Sequence, residues 1–412
     1  MNAAKRWKSL LAGAAVLGAV IYGCHGTTTG WETITTTFLR NDKPYGGGAF
    51  RIRNDEVISL KLADPQISFK PASELRHPQV AEPTEAWMND TAELLNRRTV
   101  SFWRGSLGKG LTRTLQHRGQ SLAWWYSRDW RAVYISTGWT DYKALRPANG
   151  LVPQVTKLWR SGDGGQTWIE LPWPDNRNIG RLLFLDPQRG YAIGWGPHVS
   201  RTADGGQSWQ EIKQPPRAAD AAKPRKTFSA VNLSADGVLR VAYYVDQLGD
   251  FKASSLVYRI AWNQTEFEQD VVLPDQLVVD LQSSPQTAQR YSLYALSRLG
   301  ALRDIDDVSD NGRRTGALST WESVPHPSVK QVHTFDKRLM LDGLSVGKDG
   351  VLLVYATDAS GDGAPRDLTF LSKNFGKSWE ELYDGFAQGG YFDPETNTQY
   401  ALFAYTLKKR QF

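Results

Sequence analysis

The chain has 412 residues, 41% of them hydrophobic and 22% charged, which is enough apolar material for one large core or two ordinary ones and excludes a disordered chain. Its 49 basic and 43 acidic side chains give a formal charge of +6, and without a basic stretch interleaved with aromatics, beyond the C-terminal LKKRQF, nucleic-acid binding gains little support. A single cysteine excludes an internal disulfide framework, while 16 Trp, 37 Gly and 20 Pro predict short strands joined by tight turns and therefore an all-β fold.

The first 23 residues read as an export signal: MNAAKRWK is a positive n-region, and Ser9 to Tyr22 is an apolar run shorter than the roughly 20 residues of a membrane-spanning helix. Cys24 follows directly, and IYGC resembles a bacterial lipobox, with Tyr22 where a small residue is usual. That resemblance implies a lipidated Cys24 and a mature domain of residues 24–412, with ordinary cleavage or an uncleaved anchor as the other readings. All three place the body outside the cytoplasm. By the lipoprotein sorting rule, His25 after the cysteine implies the periplasmic side of the outer membrane of a Gram-negative cell. A lipidated Cys24 leaves no thiol for redox chemistry or metal binding, and removing Lys5, Arg6 and Lys8 leaves 46 basic against 43 acidic side chains.

The next strand signal, AFRIRND, alternates Phe50 and Ile52 with Arg51 and Arg53. It is similar to the F-R-I-P motif of sialidases, which would make Arg51 a carboxylate-binding arginine, although Arg53 stands at the proline position. The plainer reading is a strand with exposed arginines. An insertion is expected near 71–105, where EPTEAWMNDTAELLNRR (82–98) has the composition of a short helix. Further insertions are expected at 214–226 and 303–316. Such surface insertions carry specificity in binding proteins, so Arg97, Arg98, Trp103, Arg104, Arg313 and Arg314 are candidate partner contacts. Trp124, Trp125 and Trp130 are candidate aromatic anchors, with core packing as the alternative for each.

SGDGGQTW, residues 161–168, is nearly repeated as TADGGQSW, residues 202–209, and again as SKNFGKSW, residues 372–379. The shared pattern is S/T-x-D/N-x-G-x-S/T-W, built from Ser161, Asp163, Gly165, Thr167 and Trp168; Thr202, Asp204, Gly206, Ser208 and Trp209; and Ser372, Asn374, Gly376, Ser378 and Trp379. Asp or Asn accepts backbone N–H groups, Gly takes a positive φ, and Trp folds back as a lid. The pattern resembles the Asp-box, or bacterial neuraminidase repeat, of sialidase-like β-propellers, whose boxes are architectural. Asp163 and Asp204 are 41 residues apart, and Asp204 and Asn374 are 170 apart, which reads as one and four blade-length units. A β-propeller of about seven four-stranded blades follows, with six or eight also satisfying the rhythm. Residues 181–212 form one legible blade and also resemble repeats of assembly factors related to photosystem II stability proteins. Asn374 lacks the carboxylate charge, so the third box is expected to close its turn more weakly.

AVYIST, LRVAYYVD, SLVYRIAW, RYSLYALS, TWESV, GVLLVYATD, DLTFLS and QYALFAYTL supply further strands. GLSVG matches G-x-S-x-G around Ser345, but a turn and a strand follow where a nucleophile elbow needs a helix. FGKS has Leu371 at the position of the first glycine of a phosphate-binding loop. DASGDGAPRDLT ends in Thr369 where a calcium loop needs Glu. The six histidines show no paired spacing. No cofactor or metal is therefore expected. The lipobox, GWETI, GGGAFRI and eroded boxes are together similar to the lipoprotein immunity proteins that neutralise type VI secreted lipase toxins in the periplasm. That resemblance implies a non-enzymatic chain binding a lipase-type toxin, with a periplasmic assembly factor and a sialidase-like hydrolase as alternatives.

Overall fold

Short apolar stretches bounded by Gly, Asp and Asn turns build strands and no helix among the residues that the computed structural model describes: 31–35, 49–63, 98–140, 154–174, 178–194, 198–215, 228–246, 253–285, 291–299, 315–336, 339–358, 366–383, 389–403 and 406–412. β1 (Glu32–Thr35) comes first. Blade one is β2 (Ala49–Arg53), β3 (Glu56–Ala63), β4 (Thr99–Ser106) and β5 (Gly110–Arg118). Blade two is β6 (Gln120–Tyr126), β7 (Val133–Thr140), β8 (Gln154–Ser161) and β9 (Ile169–Leu171). Blade three is β10 (Ile179–Phe184), β11 (Gly190–Gly194), β12 (Val199–Thr202) and β13 (Gln210–Ile212). Blade four is β14 (Phe228–Leu233), β15 (Leu239–Asp246), β16 (Ala253–Ile260) and β17 (Glu268–Leu273). Blade five is β18 (Gln276–Ser283), β19 (Ser292–Leu299), β20 (Gly316–Glu322) and β21 (Lys330–Phe335). Blade six is β22 (Leu339–Val346), β23 (Leu352–Asp358), β24 (Arg366–Ser372) and β25 (Glu380–Tyr383). Blade seven is β26 (Gly389–Asp393), β27 (Thr398–Phe403) and β28 (Thr406–Gln411), completed by β1.

Every blade is a four-stranded antiparallel sheet, and the chain is a seven-bladed β-propeller. First strands pack on first strands around the axis, β6 on β10, β14 on β18, β18 on β22 and β26 on β2. β1 pairs with β28 through Glu32↔Lys409 and Thr33↔Lys408, so the start and end of the described chain share one sheet and close the ring.

Because each sheet is sandwiched between two others, both of its faces are buried, which explains unbroken apolar runs such as Leu352, Leu353 and Val354. The core is accordingly a set of seams between neighbouring blades. Blades one and two bury Ile58, Val100 and Phe102 against Val133 and Ile135. Blades five and six bury Leu296, Leu318 and Phe335 against Leu339, Leu344 and Val354. Among the described residues the seam between blades six and seven is the thinnest, with Val351, Leu353 and Leu371 buried and Phe392 and Phe412 beside them.

Antiparallel order assigns every connection to one of two faces. Links from first to second and from third to fourth strands lie on one, the box face, and none of those described exceeds eight residues. The strand ends joined by the remaining links lie on the opposite, loop face, and the long links 36–48, 64–98, 141–153, 213–227 and 300–315 all run between strand ends there.

The box turns join third to fourth strands in blades two, three and six. Ser161 Oγ accepts the Gly165 N–H at 2.6 Å, and Asp163 accepts the Gln166 and Thr167 N–H groups at 2.9 Å and the Thr167 hydroxyl at 2.6 Å. Thr202, Asp204, Gly206 and Ser208 repeat this pattern. In the third box Asn374 accepts the Ser378 N–H at 2.9 Å but donates from Nδ2 to the Ser378 hydroxyl at 2.7 Å, and the Lys377 N–H reaches the Asn374 backbone carbonyl at 3.4 Å instead of its side chain, so the turn closes without a charge. Trp168 and Trp379 donate to the Gly165 and Gly376 carbonyls at 3.2 and 3.0 Å, closing each lid.

Two expectations are corrected. From Asp204 to Asn374 is three blades, not four, because blades four and five carry the long connections that stretch the rhythm. Residues 99–105, assigned to the first insertion, are the interior strand β4, whose Val100 and Phe102 are fully buried. The export signal, Cys24, residues 82–97 of the expected helix, and residues 216–226 and 303–314 of the other insertions lie outside the described residues.

A candidate binding cleft between blades six and seven

In blades two to six the first strand carries one residue more than its partner, and the extra residues are Leu122, Gly180, Ser229, Val279 and Asp342. A bulge of this kind bends the strand and re-aims a side chain. In blade six it turns Asp342 into a cleft of about 450 Å³ beside the thin seam.

Blade six contributes Asp342 and Ser345 from β22, Tyr355 from β23, and Asp367, Leu368 and Thr369 from β24; blade seven contributes Gly390, Tyr391 and Phe392 from β26 and Gln399 from β27. Trp31 precedes β1 and Arg51 comes from β2. Gln399 accepts from Arg410 Nε at 2.7 Å, and the Arg410 guanidinium lies over the Trp31 ring at 4.4 Å.

Arg51 is the cation of this lining. Its Nε donates to the Tyr126 hydroxyl at 2.6 Å and its Nη1 to the Phe50 carbonyl at 2.7 Å. The guanidinium lies over Tyr391, Trp124 and Tyr126 at 4.8, 5.3 and 5.6 Å. Tyr391 ties blade seven to blade one, donating to the Ile52 carbonyl at 2.6 Å and accepting the Ile52 N–H at 2.7 Å; burial pushes its phenol well above the usual range. β2 thus has the alternation read from its sequence, Phe50 and Ile52 inward and Arg53 exposed, with Arg53 donating to the Arg128 carbonyl at 2.7 Å.

The Asp342 side chain opens onto the cleft, and the surrounding protein still desolvates it. Burial raises its carboxyl above the ordinary value, the Asp367 charge adds to the rise, and the Thr357 hydroxyl at 2.9 Å and the Arg298 charge oppose it. Ser345, mid-strand on β22, lies 3.4 Å from the Tyr355 hydroxyl and has no histidine partner, so the G-x-S-x-G match carries no nucleophile geometry. The arrangement offers a cation two carboxylates beside the Tyr355 ring, the Tyr391 and Trp31 rings being already covered by Arg51 and Arg410.

The candidate partner contacts are not brought together. Arg98 lies at the loop-face start of β4, and Arg104 lies six residues on, roughly 20 Å away along an extended strand. Arg104 donates to the Asp163 and Gly164 carbonyls at 2.9 Å and so clamps the first box. Trp103 lies in β4 between Lys61 and Arg113, at 4.5 and 5.7 Å from its ring. Trp125 packs on Phe184, Trp130 is buried in the seam between blades one and two, and Trp124 flanks Arg51. Arg97, Arg313 and Arg314 lie outside the described residues. Sequence reading missed Asp342 and Asp367, because a bulge leaves no mark in a single strand's letters.

Asp358, read as the start of a weak calcium loop, is buried and paired with Arg366 at 3.0 Å. Among the described residues no three His, Cys, Asp or Glu side chains converge on a possible metal position. No known family profile matches the sequence, and no curated protein matches it. Solved structures do. The GH74 xyloglucanase from Xanthomonas campestris is 14% identical, with a TM-score of 0.51 over 78% of this chain and 51% of that one. Hydrazine synthase of Kuenenia stuttgartiensis is 12% identical with a TM-score of 0.48, covering 77% of this chain and 92% of that one. YCF48 bound to D1 peptide is 12% identical with a TM-score of 0.47, covering 77% and 86%. The likeness is one of fold.

Proposed function

We propose that the chain is a non-enzymatic, exported and membrane-tethered propeller that binds a protein partner, most concretely an immunity protein neutralising a type VI secreted phospholipase or lipase toxin in the periplasm. The observation that carries the binding reading is the division of the two faces: short turns on the box face, and every long connection on the loop face. A rigid ring whose long connections all join strand ends on one rim suits macromolecular recognition. The tether at Cys24, the outer-membrane location and the toxin rest on the sequence resemblances. The sialidase reading would need further arginines around Arg51, and the cleft lining has one.

The test is affinity capture of the exported chain, tagged at its C-terminus, from detergent-treated periplasm, with mass spectrometry of what is held. One stoichiometric lipase-type partner whose hydrolysis stops on binding is expected. A membrane assembly in its place would favour the assembly-factor reading, and an empty capture would overturn both in favour of glycan hydrolysis at Arg51.

A further inference from the structure

The repeat supplies its own controls. The bulges of blades two to five insert Leu122, Gly180, Ser229 and Val279, all uncharged, so the fold does not require a carboxylate at the equivalent Asp342. Asp342 shares the cleft with Asp367 from a second strand of the same blade and with the Tyr355 ring, whereas the Tyr391 ring is already covered by the Arg51 guanidinium at 4.8 Å and by Tyr400, stacked at 4.9 Å. Among the described residues neither carboxylate has an ion-pair partner; Asp342 accepts from the Thr357 hydroxyl at 2.9 Å and feels the Arg298 charge without pairing with it. Arg51 on the same lining does not neutralise them, since its Nε and Nη1 are directed to Tyr126 and Phe50. Among the described residues the carboxylates also find no third His, Cys, Asp or Glu with which to hold a metal ion.

We propose that this cleft receives a cationic side chain, an arginine or a lysine, presented by the protein partner. The proposal rests on the partner-binding reading above. A cation here is attracted by the two carboxylates, with the Tyr355 ring beside them, and a guanidinium can also meet a carboxylate with two parallel hydrogen bonds. The volume of about 450 Å³ accommodates such a side chain with its aliphatic stem. The raised carboxyl of Asp342 agrees with this, because an entering cation relieves the cost of its charged form.

Direct titration of the full chain tests it, with N-acetylarginine amide as probe and the neutral isostere N-acetylcitrulline amide as control. Tryptophan fluorescence and two-dimensional NMR give the readout, and circular dichroism verifies the fold of each variant. The arginine probe is expected to bind at least tenfold more tightly than the citrulline one, and Asp342→Asn with Asp367→Asn to remove that preference. Equal binding of the two probes, or an unchanged preference in the double variant, would overturn the proposal. So would preferential binding of N-acetylneuraminic acid that is lost in Arg51→Ala. Capture separates the two levels of the argument. If wild type and the double variant hold the same partner equally, the cleft proposal fails and partner binding stands; if wild type holds nothing, partner binding fails whatever the titration shows.

Discussion

At the residue scale, the three boxes compare one turn with and without a charge. The Ser208 hydroxyl and N–H hold the Asp204 carboxyl down at about 2, and the equivalent bonds from Thr167 hold Asp163 lower still. A carboxyl whose folded pKa is depressed contributes stability that is complete above its unfolded value near 4 and is lost as pH falls through the folded value. Melting temperature should therefore fall between about pH 4 and pH 2, and the fall should be smaller in Asp163→Asn with Asp204→Asn, which copies the third box. Thermal denaturation across that range measures it, and identical slopes in the two proteins would contradict it. Gly165 has φ +87°, and an added Cβ would lie 2.2 Å from Phe102 Cε1. Gly165→Ala should cost roughly 2 to 4 kcal/mol, from left-handed strain and overpacking together. Gly108→Ala, where nothing lies within 4 Å, should be nearly neutral; denaturant unfolding compares the two.

At the element scale, the seams and the turns between third and fourth strands hold the structure. Turns 162–168, 203–209, 261–267, 323–329 and 373–379 all have seven residues, although only three keep the box letters. Blade four places Phe267, and blade five Val329, where the others have the lid tryptophan. Sequence reading found the lettered turns because Asp, Gly and Trp are recognisable individually. It missed the other two because length and one apolar residue can persist after the hydrogen-bonding groups have gone. Phe267→Ala should cost about 3 to 5 kcal/mol, measured by denaturant unfolding. Between blades four and five, Arg240 and Asp270 form a buried ion pair at 2.8 Å, with Tyr291 accepting from Arg240 Nη1 at 2.8 Å. Asp270→Ala leaves that guanidinium without its carboxylate and should cost about 3 to 5 kcal/mol, whereas replacing both partners by apolar residues should cost far less.

At the scale of the whole molecule, ring closure depends on four residues. β1 completes blade seven, Glu32 meets Lys409 at 3.3 Å, and Ile34 packs with Phe50 and Leu407. GWETI was visible as an early motif, yet its place in the last blade was not, because closure joins residues as distant in sequence as Glu32 and Lys409. Deleting residues 1–35 should lower the melting temperature and leave β28 as an open edge that promotes concentration-dependent association, followed by calorimetry and light scattering. On the proposed function, the loop face and the neighbouring cleft recognise a protein while the box face maintains the ring. Hydrogen–deuterium exchange of the chain, free and in complex with its captured partner, tests this most directly. Protection is expected on binding at the loop-face ends of the strands and around Asp342 and Asp367, with the turns 162–168 and 203–209 unchanged. Protection confined to those turns, with the cleft and loop face exchanging as in the free chain, would contradict it.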